Sequence, residues 1–216
     1  MTLAQQYIEG LRQAYLDAGE NAVAEWRQFE RVKHGIGAEE KAKLLEVYPA
    51  IPENLLGLLA FADGTYWREY GGEKIAFYFL GSDVGDGGYP YYLYSAEQLL
   101  EDKAQNYGDN FADLFYWYQE EQAEGGDDPY SLFVDERIRQ DGSPCDWLCF
   151  SDCMNNGGSS SLFIDFTPAE GGKKGQIIRF LHDPDRLDVI ADSFDEYLQM
   201  VMDNGYAFVD EEHFED

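Results

Sequence analysis

The hydrophobic period of this chain switches after residue 64, and that switch constrains the fold more than any other feature. Before it, apolar residues recur every three or four positions. In "LAQQYIEGLRQAYLDAG", Leu3, Tyr7, Leu11 and Tyr15 fall on one helical face, and Gly19 ends the run. "ENAVAEWRQFERVKHG" repeats the pattern with Val23, Trp26, Phe29 and Val32 and stops at Gly35. "AEEKAKLLEVYP" is a third amphipathic stretch, closed by Pro49. "IPENLLGLLAFADG" is a fourth: Pro52 suits its first turn, Leu55, Leu56, Leu59 and Phe61 make its stripe, and Asp63-Gly64 ends it.

Beyond that point the pattern turns extended. "KIAFYFLG" (74–81) is aromatic and β-branched and predicts a strand. "DVGDGGYPYYLY" predicts a Gly-rich turn leading into a second extended stretch. Ser95 with Gln98 three residues later is a capping box, so "SAEQLLEDKAQNYG" predicts a helix. "DNFADLFYWYQEEQAEG" predicts another. "YSLFVD", "DWLCFS", "SLFIDF" and "QIIRFL" are four short strand candidates. "DSFDEYLQMVMDNG" predicts a last helix, with Asp192 or Ser193 as cap, Phe194, Leu198, Val201 and Met202 on one side, and Gly205 as stop. "YAFVD" adds a candidate edge strand. Helices early and strands late predict an α+β fold: a central, mostly antiparallel sheet with helices packed on it and an N-terminal helical region, without βαβ repetition. A length of 216 residues suits a single domain over 1–216, with a helical extension over 1–40 and a helical insertion over 96–124.

Charge narrows the partners. The net charge is −28, and residues 61–216 carry −25 of it. Such a surface repels nucleic acid and anionic lipid headgroups and suits a basic protein partner. No window approaches the roughly 18 apolar residues of a membrane span, and the start "MTLAQQYIEGLRQAY" has no signal-peptide pattern. Cys145, Cys149 and Cys153 are spaced C-x3-C-x3-C, which matches neither a zinc site nor a disulfide framework. Buried, idle thiols in a reducing, cytoplasmic setting are expected.

Catalytic motifs are thin. "SLFIDFTPAEGGKKGQIIRF" (161–180) brings a Gly-rich turn and two lysines, but a phosphate loop needs a Ser or Thr after the lysine and a helix to follow. Here strands flank the turn, so it reads as a hairpin with Lys173 and Lys174 at an exposed tip. Of His34, His182 and His213, only His182, in "FLHDPDRLD", has acidic neighbours that suit a base or metal ligand. No nucleophile is signalled for it, and it reads as a polar loop residue. "DVGDGG" (83–88) and "DPDRLD" (183–188) lack the calcium-loop ligand order. No cofactor, metal or catalytic residue is expected, with a metal-assisted hydrolase built on these Asp clusters and His182 as the enzymatic alternative.

The aromatics are the stronger signal. "YPYYLY" (89–94) and "FYWYQEEQ" (115–122) set Tyr and Trp beside carboxylates. Strand alternation buries half of such residues. The rest can supply rigid contact area with a polar tip, as interfaces require. Candidate partner-binding residues are Asp83, Asp86, Tyr89, Tyr91 and Tyr92, and Tyr116, Trp117, Glu120, Glu121, Asp127 and Asp128.

With these segments in hand, the chain resembles the SMI1/KNR4 family of the SUKH superfamily over roughly residues 40–205. "YPAIPENLLGLLAFADG" is similar to its Pro-led helix running into an Asp-Gly turn, with Pro52, Asp63 and Gly64. "DWLCFSDCMNNGGSSSLFIDFTPAEGGKKGQII" is similar to its central signature, with Trp147, Gly157, Asp165, Pro168, Gly172, Gly175 and Gln176. "VIADSFDEYLQMVMDNG" is similar to its closing helix. The long N-terminal helical region and the 96–124 insertion depart from the pattern. The resemblance implies an α+β fold, no catalytic residues and a protein-binding role. That role is neutralisation of a toxin, often a nuclease, or service as a regulatory hub. Asp165 and Gln176 are then expected to be structural.

Overall fold

A computed structural model describes residues 1–84, 88–105, 132–141, 143–153, 160–182 and 185–210. The chain divides into two compact units: Met1–Leu100 with the returning segment from Asp195, and Glu101–Phe194. The predicted α+β class holds. The described residues contain six helices and nine strands, and the strand pairs are mostly antiparallel.

The first unit opens with four helices. α1 (Leu3–Asp17) starts at a capping box in which Thr2 and Gln5 each accept from the other's backbone N–H. Tyr7, Leu11 and Tyr15 of the predicted stripe are buried, but its first member is Ala4 rather than Leu3, which is half-buried. α2 (Glu20–Val32) buries Ala22, Trp26 and Phe29. α3 (Ala38–Val47) buries only Leu44, and α4 (Glu53–Phe61) follows Pro52 and buries four leucines. An aromatic core joins them: Phe29 stacks on Phe77 at 4.2 Å, and Tyr15 stacks on the same ring at 4.5 Å.

The predicted strand over 74–81 is a correction. β1 (Arg68–Tyr70) and β2 (Glu73–Ile75) form one hairpin, turned by Gly71 and Gly72 at φ 60° and 89°, the left-handed pair such a turn needs. β3 (Leu80–Ser82) pairs antiparallel with β4 (Tyr89–Leu93). Residues 76–79 between them belong to no strand. Two buried tyrosines of α1 take their carbonyls instead: Tyr15 donates its hydroxyl to Tyr78 O at 2.7 Å, and Tyr7 donates to Phe79 O at 2.8 Å. Buried backbone acceptors must be paired, and here side chains replace a neighbouring strand.

α5 (Ala96–Gln105) follows β4. The predicted capping box at its start is present, with Gln98 N to Ser95 Oγ at 3.2 Å and Ser95 N to Gln98 Oε1 at 2.8 Å. The predicted helix at 109–125, and the 96–124 insertion beyond residue 105, lie outside the described residues. α6 (Phe194–Asp203) is the predicted last helix. The expected edge strand at "YAFVD" is absent: residues 204–208 form turns, with Gly205 and Tyr206 at positive φ and Tyr206 and Phe208 buried.

In the second unit five strands lie side by side. β6 (Trp147–Cys153), β7 (Ser160–Asp165), β8 (Gln176–Leu181) and β9 (Arg186–Ala191) pair antiparallel in that order, and β5 (Phe133–Val134) joins β9 in parallel. Every residue of β7 is buried. The Gly-rich stretch at 166–175 connects β7 to β8 with Asp165 opposite Gln176, so it is the predicted turn. β9 has no counterpart among the strands the sequence predicts. The three cysteines are free and buried.

Candidate partner-binding surface

Asp63 and Gly64 organise the candidate surface of the first unit. Asp63 is 3% exposed and accepts twice through its side chain, from Ala96 N at the start of α5 (2.9 Å) and from Arg68 Nη2 (3.0 Å). Gly64 has φ 84°, and a Cβ there would sit 2.5 Å from Ser95 N, so only glycine fits. Thr65 then exchanges hydrogen bonds with Leu93 on β4 and accepts from Phe77 N. Three consecutive residues thus tie a helix start, a strand end and the 76–79 segment together.

This knot holds the next turn in an unusual shape. Trp67 adopts φ 49°, a left-handed conformation that disfavours a bulky side chain by about 1 kcal/mol or more. Its neighbours are pinned on both sides. Gln98 Nε2 donates to Tyr66 O at 3.0 Å, and Arg68 bridges Asp63 and Glu97. Tyr70, buried, donates to Gly64 O at 2.6 Å, and desolvation pushes the pKa of its hydroxyl well upward, so it stays a donor. Trp67 is 58% exposed.

Tyr66, the residue before it, begins a row of half-buried tyrosines. Tyr66 lies 5.3 Å from Tyr92 and 5.5 Å from Tyr94 between ring centres, and Tyr92 lies 5.0 Å from Tyr78. Of the sequence candidates, Tyr92 belongs to this row. Asp83 is exposed and Tyr89 half-buried, while the alternation of β4 turns Tyr91 fully inward. Asp86, Tyr116, Trp117, Glu120, Glu121, Asp127 and Asp128 lie outside the described residues. The sequence candidates omit Trp67, Tyr66 and Tyr78, and they include Tyr94 only as the end of the stretch 89–94. A Trp just ahead of the Gly71-Gly72 turn is the signal that marks Trp67 and Tyr66.

The signature residues of the second unit build a turn. Asp165 is fully buried, accepts from Thr167 N at 2.8 Å and accepts from Gln176 Nε2 at 2.9 Å. Gln176 also donates to Arg137 O and accepts from Lys173 N. Burial pushes the Asp165 carboxyl upward, and these donors oppose it. Gly175, at φ 92°, donates to Asp165 O, and a Cβ on Gly172 would strike Arg137 O at 2.6 Å and Pro168 at 2.8 Å. Trp147, buried, packs on Phe163 at 5.4 Å. These hydrogen bonds close the turn and fasten it to Arg137.

His182 is exposed and pairs with Asp185 at 2.6 Å on the turn before β9. Among the described residues, no group of three His, Cys, Asp or Glu is placed to hold a metal ion. No described helix is long and apolar enough to cross a membrane. Asp102 stands apart: burial pushes it up to about 7, a hydrogen bond from the Cys149 backbone opposes the shift, and the Asp152 charge adds to it. A carboxyl that ionises near 4 when unfolded and near 7 when folded holds its proton only in the native state between those values. Stability is therefore expected to fall as pH rises from about 4 to about 7 and to level off above. Asp102→Asn removes the share of that descent that Asp102 contributes, and at pH 8 the variant is expected to be more stable than the parent by on the order of 1–3 kcal/mol. Urea denaturation of both proteins at pH 5 and pH 8 measures the difference.

Comparison with curated proteins finds no match. Comparison with family profiles matches residues 50–200, a span that contains the Pro52 helix, the Asp63-Gly64 knot, the Trp67 turn, β6 to β9 and most of α6. On that match the chain belongs to the SMI1/KNR4 family (SUKH-1).

Proposed function

We propose that this chain is a non-catalytic protein-binding module of the immunity type, which neutralises a basic toxin by covering it. The observation that carries this reading is the pairing of a −28 charge with an exposed tryptophan and a row of half-buried tyrosines. Carboxylates raise the encounter rate with a cationic surface, and aromatic anchors slow dissociation. Toxins that grip nucleic acid are themselves basic, so a nuclease is the natural partner class. An acidic cover both competes with the substrate phosphates and blocks access. The three buried free thiols fit a reducing, cytoplasmic setting.

Affinity capture from the source cell, followed by co-expression, tests the reading. One stoichiometric basic protein should be retained at low salt and lost progressively as salt rises. Expressed alone, that protein should arrest growth, and this chain should relieve the arrest. Retention of no basic protein, or a retained protein whose toxicity is not relieved, overturns the proposal.

A further inference from the structure

The geometry points to Trp67 as the anchor of the partner interface, built to take an arginine- or lysine-bearing segment of a protein. This inference rests on the protein-binding reading above and assigns it a place. Among the described residues Trp67 is the one exposed tryptophan, at 58%, whereas Trp26 and Trp147 are at 1% and 3%. Its backbone is left-handed, a conformation that bulky residues avoid and that persists only where the surroundings enforce it. The enforcement is visible: Tyr66 O is held by Gln98, Arg68 by Asp63 and Glu97, and Tyr70 by Gly64. Such a turn is already ordered, so a partner gains contact area without immobilising a loop.

The occupant follows from charge. Glu69, two residues on, is exposed, and the Glu97 side chain is 68% exposed. An exposed indole attracts a guanidinium or an ammonium group by its ring quadrupole, and the net charge of −28 adds a longer-range attraction. A second copy of this chain would bring −28 against −28, and an anionic membrane would be repelled as strongly. A basic protein segment meets neither objection.

Strain at a site of action makes a distinctive test possible. Asparagine tolerates the left-handed region far better than tryptophan. Trp67→Asn is therefore expected to keep or raise the denaturation midpoint while abolishing the anchor. The probe is a glycine–serine peptide carrying several arginines, titrated to millimolar concentration into the chain labelled with fluorotryptophan. Its glutamine counterpart is the control. The fluorine signal missing from Trp67→Asn identifies Trp67. The expected result is a saturable shift of that signal with the arginine peptide alone, and binding about tenfold weaker in Trp67→Asn. Glu69→Gln with Glu97→Gln should reduce the salt dependence of binding. A Trp67 signal unmoved by the arginine peptide, or Trp67→Asn binding as well as the parent, overturns the proposal. So does a shift that grows with protein concentration and no peptide, which would make the surface a self-contact. An arginine peptide that moves other tryptophan signals but not Trp67 sinks this assignment alone. Failure of the toxin reading shows separately, in the capture and co-expression assay.

Discussion

Replacing Asp63 by alanine is expected to destabilise the protein by about 3–5 kcal/mol, the range for removing one member of a buried ion pair. The carboxylate is 3% exposed and serves two donors on different elements, Ala96 N and Arg68 Nη2. Its loss strands a buried backbone N–H at the start of α5. It also removes from Arg68 the inner of its two carboxylates, leaving Glu97. Asp63→Asn separates the two effects. Its amide oxygen still caps Ala96, but its NH2 faces the guanidinium, so a loss of about 1–2 kcal/mol is expected. Chemical denaturation of the three proteins measures the series. A loss under about 1 kcal/mol for Asp63→Ala would show that the Asp-Gly turn does not hold the surrounding elements.

The second large effect lies on β8 and β9. Arg179 is 6% exposed and donates to Asp188 at 2.6 Å, and Arg186 donates to the same carboxylate. Burial alone would raise the Asp188 carboxyl, but the hydrogen bonds and charges of Arg186 and Arg179 outweigh it and hold the group below its usual range. The stabilisation is thus present above about pH 4 and lost as pH falls through the depressed value. Asp188→Ala deprives a buried guanidinium of this carboxylate and is expected to cost about 3–5 kcal/mol. Arg179→Met combined with Asp188→Leu should recover most of that, because a packed apolar pair replaces the buried charges. A double variant as unstable as Asp188→Ala would place the loss in the strand geometry rather than in the uncompensated charge.

What was legible in the sequence was local. The α1 stripe and the Ser95–Gln98 box rest on spacings of three and four residues; the box stands as read, and so does the stripe from Tyr7 onward. The hairpin at 166–175 was readable for the same reason. β9 was missed because Arg186 and Asp188 made "DPDRLD" look like a polar loop. They are the outward residues of an alternating strand whose Leu187 and Val189 are buried. An unbroken strand over 74–81 does not form because Tyr7 and Tyr15, more than sixty residues upstream, take the carbonyls of Phe79 and Tyr78. No local pattern carries that. Trp67 escaped notice because neither its exposure nor its left-handed backbone follows from residue type. The Asp63-Gly64 turn was recognisable as a turn, but its grip on α5 and Arg68 depends on partners up to 33 residues away.

The first unit is discontinuous in the chain, and this bears on how it is made. Tyr197 donates to Gly81 O, Tyr206 donates to Tyr7 O, and Asn54 donates to Asp195. A ribosome delivers Met1–Leu100 long before it delivers these partners, with the whole of Glu101–Phe194 in between. Until then the Gly81 carbonyl and the Tyr7 edge of α1 wait without them, whereas the second unit is contiguous and can close as it emerges. The nascent protein therefore completes its first-begun unit last, after the contiguous one, and a stalled chain lacks the clasp that α1 receives from the final segment.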